Sequence, residues 1–246
     1  MAAALRCHLL IGPPASGKTT IAALLAPLVA NLYTDFLPKR SGYIDDVRYV
    51  CVALPPGVDK LKQCFLAHGD RKDPTKNFYT SSCTKLDHAA IAASCPAILD
   101  HFFTEDFAAR CAAALGVPKL YLNSPARDVN CIFLRRYVDG DHLAFHYDNN
   151  FSTGTRYTAV VPLLVNAHNK SEFLIRDAEN RIQIVPIPLG NAVVYNGWQM
   201  HHAITGQRGD GERIVAVVHL YDTDVMNWWG HWRKATRDAT YRALKL

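Results

Sequence analysis

The pattern of hydrophobic and polar residues changes character near residue 130. From Asn130 onward, short apolar runs alternate with polar, glycine-containing turns, which is typical of an antiparallel sandwich or barrel. The strands that this pattern predicts are Cys131–Val138, Leu143–Asp148, Tyr157–Val165, Glu172–Arg176, Gln183–Ile187, Ala192–Tyr195, a run ending at Ile204, and Arg213–Tyr221. About eight such strands predict a jelly-roll, or double-stranded β-helix, with a ligand site at its mouth.

Helices are predicted in the segment before this half. Ala89–Ser94 reads as one helix, and Thr104 is a candidate N-cap for an amphipathic run that continues to Leu115. Gly116 would end that helix. The chain is therefore predicted to have an α+β fold, in which a double-stranded β-helix has flanking helices and is preceded by a short α/β segment.

The N-terminal residues carry a phosphate-binding pattern. Leu9–Ile11 is a short apolar run, and the sequence GPPASGKT follows it before a helical stretch. A glycine-rich turn at a helix N-terminus offers backbone N–H groups to phosphates, here around Gly12 and Gly17. Lys18 would reach the outer phosphates and Thr19 would hold Mg²⁺. The segment resembles the P-loop kinases and NTPases, which implies ATP as a ligand.

The following residues are too few for a complete P-loop domain. Val47–Leu54 reads as a buried strand, but only about a dozen residues separate it from Asp35. Each βαβ unit takes about 30 residues or more. We therefore interpret residues 1–88 as an abbreviated P-loop-like segment ending in a polar linker at 68–88, and residues 89–246 as the main domain. An active kinase and a chance match of a glycine and proline turn are the alternatives.

Composition is that of an ordinary soluble globular protein. Hydrophobic residues make up 49% and charged residues 20%, and the net charge of +5 permits an anionic partner without requiring one. The seven cysteines form no CxxC pair, which argues for free thiols in a reducing compartment and against a zinc site. No apolar run approaches the ~20 residues of a membrane span, so we expect no membrane partner. The expected location is the cytoplasm, although the acid-free stretch before Asp35 is compatible with an organelle transit peptide.

Two histidines and one carboxylate form a candidate metal site. His146 and Asp148 are two residues apart in a predicted strand, so an imidazole and a carboxylate project from the same face. The third ligand is His201 or His202, which lie on opposite faces of one strand, and the apolar parity of that strand favours His202. Two histidines and one carboxylate on one side of iron leave three positions open, the geometry of non-haem Fe(II) oxygenases.

The order and spacing of these residues resemble the 2-oxoglutarate- and Fe(II)-dependent dioxygenases, most nearly their prolyl-hydroxylase-like branch. The residues that carry the resemblance are Arg136-Tyr137, His146 with Asp148, Arg156-Tyr157-Thr158, and His202-Ala-Ile-Thr. It covers roughly residues 98–222 and implies Fe(II) and 2-oxoglutarate as cofactors, with ascorbate as a further reductant. It also implies that the predicted helices pack on the outer face of the barrel.

The resemblance implies two further cosubstrate residues. Arg213, on the inward parity of the last strand, would hold the distal carboxylate of 2-oxoglutarate in a charge-assisted pair. A surface salt bridge to Glu212 or Asp210 is the alternative use of this arginine, and Arg208 is the alternative cosubstrate residue. Tyr137 would place its hydroxyl on the cosubstrate or would be an ordinary core tyrosine.

The implied activity is hydroxylation of a C–H bond in a protein side chain or a small molecule, with succinate and CO₂ as coproducts. The alternatives are a P-loop ATP-binding, kinase-like protein that uses Lys18 and a non-catalytic metal-binding β-barrel module. Residues near the mouth are candidate substrate contacts or rim residues: His142, Asn150, Arg156 and Trp198. The aromatic and basic run 228–234 is predicted to cover the outer surface of the barrel, with nucleic-acid binding as the less favoured use.

Overall fold

Two antiparallel sheets enclose an apolar interior in the computed structural model of the protein. The model describes residues 49–58, 61–63, 72–73, 83–165, 168, 171–177, 181–226, 228, 230–232 and 234–235. The described strands are β1 (Tyr49–Ala53), β2 (Lys72–Asp73), β3 (Cys83–Asp87), β4 (Tyr121–Leu122), β5 (Ile132–Tyr137), β6 (Leu143–His146), β7 (Arg156–Val165), β8 (Phe173–Arg176), β9 (Ile182–Val185), β10 (Asn191–Tyr195), β11 (His201–Ile204) and β12 (Arg213–Tyr221). The described helices are α1 (His88–Ser94), α2 (Pro96–Phe102) and α3 (Glu105–Leu115).

The larger sheet is built around the long strands β7 and β12. Its order in the described part of the chain is β1-β10-β7-β12-β5-β3-β2, and β4 pairs with β12. The smaller sheet has the order β6-β11-β8-β9. Sequence neighbours are therefore often not spatial neighbours, and each sheet draws its strands from distant parts of the chain.

Strand β12 shows how the two hydrophobic cores arise. All nine of its residues are buried because both of its faces are covered. Ile214, Ala216 and Val218 belong to the core between the large sheet and the helices. Val215 and Val217 point the other way, into the core between the two sheets. This period-2 alternation in a continuous apolar run is what a strand buried on both faces requires.

The three helices cover the outer face of the large sheet. Helix α3 begins at the predicted cap, where the Thr104 hydroxyl accepts a hydrogen bond from the Phe107 N–H at 3.2 Å. It ends at Gly116, whose φ of 70° lies in the left-handed region that glycine adopts without strain. The inward side of α3 buries Phe107, Ala108 and Cys111 against the sheet. The predicted boundaries of α3 and the outer-face packing of the helices are confirmed. Helix α1 begins one residue earlier than predicted, and α2 was not predicted.

The large sheet also takes strands from before residue 88. The strand predicted at 47–54 is observed as β1, which pairs antiparallel with β10. The expectation that it is buried is wrong, because β1 stands at the end of the described sheet order and only Val52 of its five residues is buried. Within the segment predicted to be a linker, β3 pairs antiparallel with β5. The sheet thus includes residues from both sides of the predicted division at residue 88. The P-loop pattern, with Gly12, Gly17, Lys18 and Thr19, lies outside the described residues.

One expectation about the cysteines needs correction. Cys51, Cys83, Cys111 and Cys131 are free thiols, but Cys95 is disulfide-bonded, so the expectation of free thiols throughout is wrong at that position.

The C-terminal run contacts the rest of the fold through Gly230. This glycine is buried against the backbone of Phe151, whereas Trp228 is 76% exposed and Trp232 is 54% exposed. Among the described helices, none combines the length and the apolar character that crossing a bilayer requires.

Candidate metal centre

The predicted ligand residues His146, Asp148 and His202 come together between the two sheets. His146 ends β6, Asp148 follows it, and His202 lies opposite His146 in the ladder of β6 and β11. One potential ligand atom from each residue lies within 4.8 Å of the other two. The Asp148 Oδ1 atom is 3.8 Å from the His146 Nε2 and 3.9 Å from the His202 Nε2. Three donor atoms from different parts of the chain thus face one small volume.

Both imidazole rings are oriented by backbone carbonyls. The His146 Nδ1 lies 2.9 Å from the Ala144 carbonyl oxygen, and the His202 Nδ1 lies 2.8 Å from the Met200 carbonyl oxygen. A carbonyl oxygen only accepts, so Nδ1 carries the proton in each ring. Each Nε2 therefore keeps its lone pair for a metal ion. This is how metal-binding histidines are usually oriented in proteins.

The histidines are also held in the neutral form that a ligand needs. Burial and the neighbouring His202 lower the pKa of His146 to about 3. Burial likewise lowers the pKa of His202, although Asp148 opposes this shift. A neutral imidazole offers a lone pair to a cation, whereas an imidazolium does not. The environment thus favours the protonation state that metal binding requires.

The Asp148 carboxylate is fixed from several sides. Its Oδ2 accepts a hydrogen bond from the Thr158 hydroxyl at 2.5 Å, and its backbone N–H donates to the Gly197 carbonyl at 2.8 Å. Burial alone would raise the pKa of Asp148, but Arg156 and the nearby histidines lower it more, so the pKa lies below its ordinary value. The carboxylate therefore stays ionised and keeps Oδ1 directed towards the two Nε2 atoms.

Gly197 makes this close packing possible. A Cβ atom at this position would lie 2.1 Å from the Asp148 Oδ2 and 2.5 Å from the Thr158 Oγ1. Both contacts are shorter than real Cβ atoms show. The loop between β10 and β11 can therefore approach the carboxylate only because residue 197 has no side chain.

Arg213 is a buried cation in the same interior. It is 3% exposed, and its Nε and Nη2 atoms have no hydrogen-bond partner within the part of the chain that the structure describes. Among the described residues, Arg213 forms neither of the two alternative salt bridges, to Glu212 or to Asp210, and Glu212 pairs instead with Arg136 on the neighbouring strand. Tyr137, which is 2% exposed, lies directly opposite Arg213 in the ladder of β5 and β12. A buried guanidinium with open donors is costly unless an anion binds to it.

The other predicted candidates are placed away from this interior or serve the scaffold. Arg208 and His142 are exposed, and Trp198 is half-buried. His201 points to the opposite side of β11 from His202 and stacks on Tyr147, with ring centroids 4.6 Å apart. Asn150 donates a hydrogen bond to the Gly154 carbonyl at 2.5 Å, which shapes the loop after the ligands.

Several interior polar residues were missed from the sequence or given a different role. Arg156, predicted as a rim or substrate residue, is buried and its guanidinium contacts His219 at 2.6 Å. His219, Tyr195 and Arg135 also lie on the interior parity of their strands. The available signal was a polar side chain at an inward position of an otherwise apolar strand, the same signal that marked Arg213. Gly197 had no comparable signal, and Thr158 was part of a quoted motif without an assigned role, because both roles depend on contacts with Asp148.

The chain is similar to known proteins in structure and matches none of the curated ones in sequence. No family model matches the chain, and no curated protein matches its sequence. A prolyl-4-hydroxylase from Pseudomonas putida is similar in structure, with 17% identity, a TM-score of 0.50, and coverage of 80% of this chain and 98% of that one. HygX from Streptomyces hygroscopicus, solved with nickel, 2-oxoglutarate and hygromycin B, has 14% identity, a TM-score of 0.55, and coverage of 78% and 90%. A prolyl hydroxylase from Trichoplax adhaerens, solved with a hypoxia inducible factor peptide, has 12% identity, a TM-score of 0.54, and coverage of 90% and 96%.

These similarities concern the fold. The identities are between 12% and 17%, so these comparisons show that the overall fold is shared and nothing finer. The predicted double-stranded β-helix is confirmed.

Proposed function

We propose that the protein is an Fe(II)- and 2-oxoglutarate-dependent dioxygenase that hydroxylates a C–H bond. The observation that carries this proposal is the combination of two features in one interior. His146, Asp148 and His202 offer three ligand atoms within 4.8 Å of one another, and the unpaired guanidinium of Arg213 lies in the same space between the sheets. A protein that only bound a metal ion would not need the buried guanidinium of Arg213.

The donor set suits a ferrous ion. Two neutral imidazole nitrogens and one carboxylate oxygen leave other coordination positions open, which is the pattern of non-haem Fe(II) oxygenases. A structural zinc site would be closed by four protein ligands. The cluster found among the described residues has three members, which agrees better with an ion that also binds small molecules.

The cosubstrate 2-oxoglutarate would account for the buried side chains of Arg213 and Tyr137. 2-Oxoglutarate carries one carboxylate next to its keto group and one at its far end. Arg213 would hold the far carboxylate through its open Nε and Nη2 atoms, as a charge-assisted pair. Tyr137, opposite Arg213, would add its hydroxyl. The bound iron and 2-oxoglutarate would supply the oxidising chemistry, while the chain supplies orientation and a site from which water is excluded.

Each remaining residue of the site has a defined task in this proposal. Thr158 and the Gly197 carbonyl keep Asp148 in one orientation. The carbonyls of Ala144 and Met200 keep Nε2 of each histidine unprotonated. Apolar side chains of the inner core surround the site and limit the entry of water.

The substrate would be a protein side chain or a small molecule. Both classes are named for proteins of this fold, a hypoxia inducible factor peptide for one prolyl hydroxylase and hygromycin B for HygX. A prolyl or other protein side chain is our first choice, because the motif around His146 and Asp148 resembles the prolyl-hydroxylase-like branch.

An anaerobic titration tests this proposal. The full chain is mixed with Fe(II) and then with 2-oxoglutarate, and the visible charge-transfer band of the ternary complex is recorded. We expect the band in the wild-type protein and its loss in His146→Ala. His101→Ala, which removes a histidine from α2, is the matched control and should keep the band. If the wild-type protein forms no such complex, or if His146→Ala forms it normally, the assignment is wrong.

A further inference from the structure

The interior face of β5 carries a second arginine. Phe133, Arg135 and Tyr137 share one parity, and Phe133 and Tyr137 belong to the core between the sheets. Arg135 lies opposite Val215 in the ladder with β12, two positions from the pair formed by Tyr137 and Arg213. Two guanidinium groups therefore occupy neighbouring positions on adjacent interior strands.

The Arg135 guanidinium is only weakly held by the protein. Its Nη1 donates to the Tyr137 hydroxyl at 3.4 Å, and its Cζ lies 5.1 Å from the centroid of the Phe133 ring. Its Nε is buried and has no hydrogen-bond partner among the residues that the structure describes. Arg135 as a whole is half-buried, and a long, neutral hydrogen bond and a ring contact are modest compensation for the burial of its Nε.

A lysine stands directly beside it. Lys85 on β3 is the ladder partner of Arg135, and its Nζ lies 5.2 Å from the centroid of the same Phe133 ring. The Lys85 Nζ donates to the neutral Asn130 side chain at 2.7 Å. An anion bound at Arg135 would therefore have a second cationic side chain beside it.

The acidic group that acts electrostatically on Arg135 is already engaged by other residues. Asp148 acts electrostatically on Arg135, but its Oδ2 is held by Thr158 and its Oδ1 faces the two histidines. Asp87, at the other end of β3, caps α1 by accepting a hydrogen bond from the Ala90 N–H. Arg135 therefore lies within electrostatic reach of the ligand Asp148 and keeps donor capacity that no acidic side chain of the described chain takes up.

We propose that Arg135, with Lys85 beside it, binds an anionic group of the substrate, a carboxylate or a phosphate, next to the metal centre. This inference rests on the proposed function. Arg213 and the metal already provide for the two carboxylates of 2-oxoglutarate, so Arg135 is a cation beyond the needs of the cosubstrate. The substrate would thus carry a negative charge close to the carbon that is oxidised, and Arg135 would select for it.

Binding of small anions to the loaded protein tests the proposal. The full chain is saturated anaerobically with Mn(II) and 2-oxoglutarate, and acetate and inorganic phosphate are titrated as probes by calorimetry. We expect Arg135→Gln to bind the better probe at least ~10-fold more weakly than the wild type. Arg135→Lys should retain part of the affinity. Arg136→Gln is the matched control, because Arg136 is the next residue, points to the other face of β5 and pairs with Glu212.

The results of this experiment distinguish an error in the proposed anion site from an error in the proposed function. Wild-type affinity for both probes in Arg135→Gln, or no probe binding to the wild type, overturns the proposal. If Arg135→Gln instead weakens the binding of 2-oxoglutarate and of pyruvate alike, the residue holds the keto-acid carboxylate of the cosubstrate, and the substrate assignment is wrong. A wild-type protein that binds neither Mn(II) nor 2-oxoglutarate refutes the proposed function itself. Thermal unfolding of each variant verifies that it is folded.

Discussion

Replacing Gly197 by alanine is a small change with a large expected effect on the metal site. The new Cβ would lie 2.1 Å from the Asp148 Oδ2, whereas ordinary van der Waals contact begins near 3.4 Å. The difference, 3.4 − 2.1 = 1.3 Å, is the least movement that the oxygen or the loop must make along the line of contact. The same Cβ would also meet the Thr158 Oγ1 at 2.5 Å, so the carboxylate and its hydrogen-bond donor are displaced together.

This displacement is expected to lower both the stability of the fold and the affinity for metal. Overpacking of this kind costs about 1–3 kcal/mol of stability. Loss of the group that orients a metal ligand lowers metal affinity by roughly 10- to 100-fold, equivalent to about 1.4–2.7 kcal/mol. We therefore expect Gly197→Ala to remain folded but to bind divalent metal at least ~10-fold more weakly than the wild type.

Metal titration by calorimetry, with thermal unfolding in parallel, measures both losses. Gly206→Ala is the matched control, because a Cβ at Gly206 meets nothing within 4 Å and its φ lies outside the left-handed range. Gly206→Ala should keep wild-type metal affinity and stability. If Gly197→Ala binds metal as tightly as Gly206→Ala does, the packing of the loop on Asp148 does not position the ligand, and the reasoning fails.

Three further predictions address the cosubstrate, the pH dependence and the N-terminal segment. Arg213→Met should weaken 2-oxoglutarate binding by about 2 kcal/mol or more, roughly 30-fold. It should also raise the unfolding temperature of the unliganded protein, because an unpaired buried charge is removed. An unchanged affinity for 2-oxoglutarate in calorimetry would contradict this. Burial and Arg156 lower the pKa of His219 from its ordinary value of 6.5 to about 3. Between these two pH values the unfolded chain binds a proton that the folded chain does not bind. The free energy of unfolding therefore falls as the pH decreases through that window. His219→Gln should make this decline less steep in urea unfolding, and the lowered pKa values of His146 and His202 account for the part that remains. An equally steep decline in the variant argues against this role of His219. ATP affinity should fall in Lys18→Ala if the P-loop pattern binds nucleotide, and equal affinity in a nucleotide titration would remove that prediction.

The elements that could be predicted are those whose signal is local. Strands β7 and β12 are long apolar runs, and α3 has both a threonine cap and a terminal glycine in its sequence. Strand β3 was missed because its sequence, CTKLD, is short and half polar, and only Leu86 enters the core beneath the helices. The pairing of β1 with β10 joins residues far apart in the chain, and no local pattern specifies such a partner.

In the candidate site, too, residues with a local sequence signal could be predicted and contacts between distant segments could not. The spacing of His146 and Asp148 is a local feature, and the parity of β11 distinguishes His202 from His201 without knowledge of the fold. The contact of Gly197 with Asp148 and the pairing of Arg156 with His219 depend on how distant strands are brought together. Arg135 could have been found by applying to β5 the parity argument that identified Arg213 on β12.

The distribution of charge in the interior distinguishes among the possible functions. A module that only bound a metal ion would need His146, Asp148 and His202, with Thr158 to orient the carboxylate. It would have no use for a buried guanidinium at Arg213, because replacing an uncompensated buried charge with an apolar side chain generally stabilises a fold. The chain retains that destabilising group on the interior face of its most buried strand. An interior arranged at this cost is better explained by anionic ligands that bind beside the metal, which is what an enzyme using 2-oxoglutarate requires.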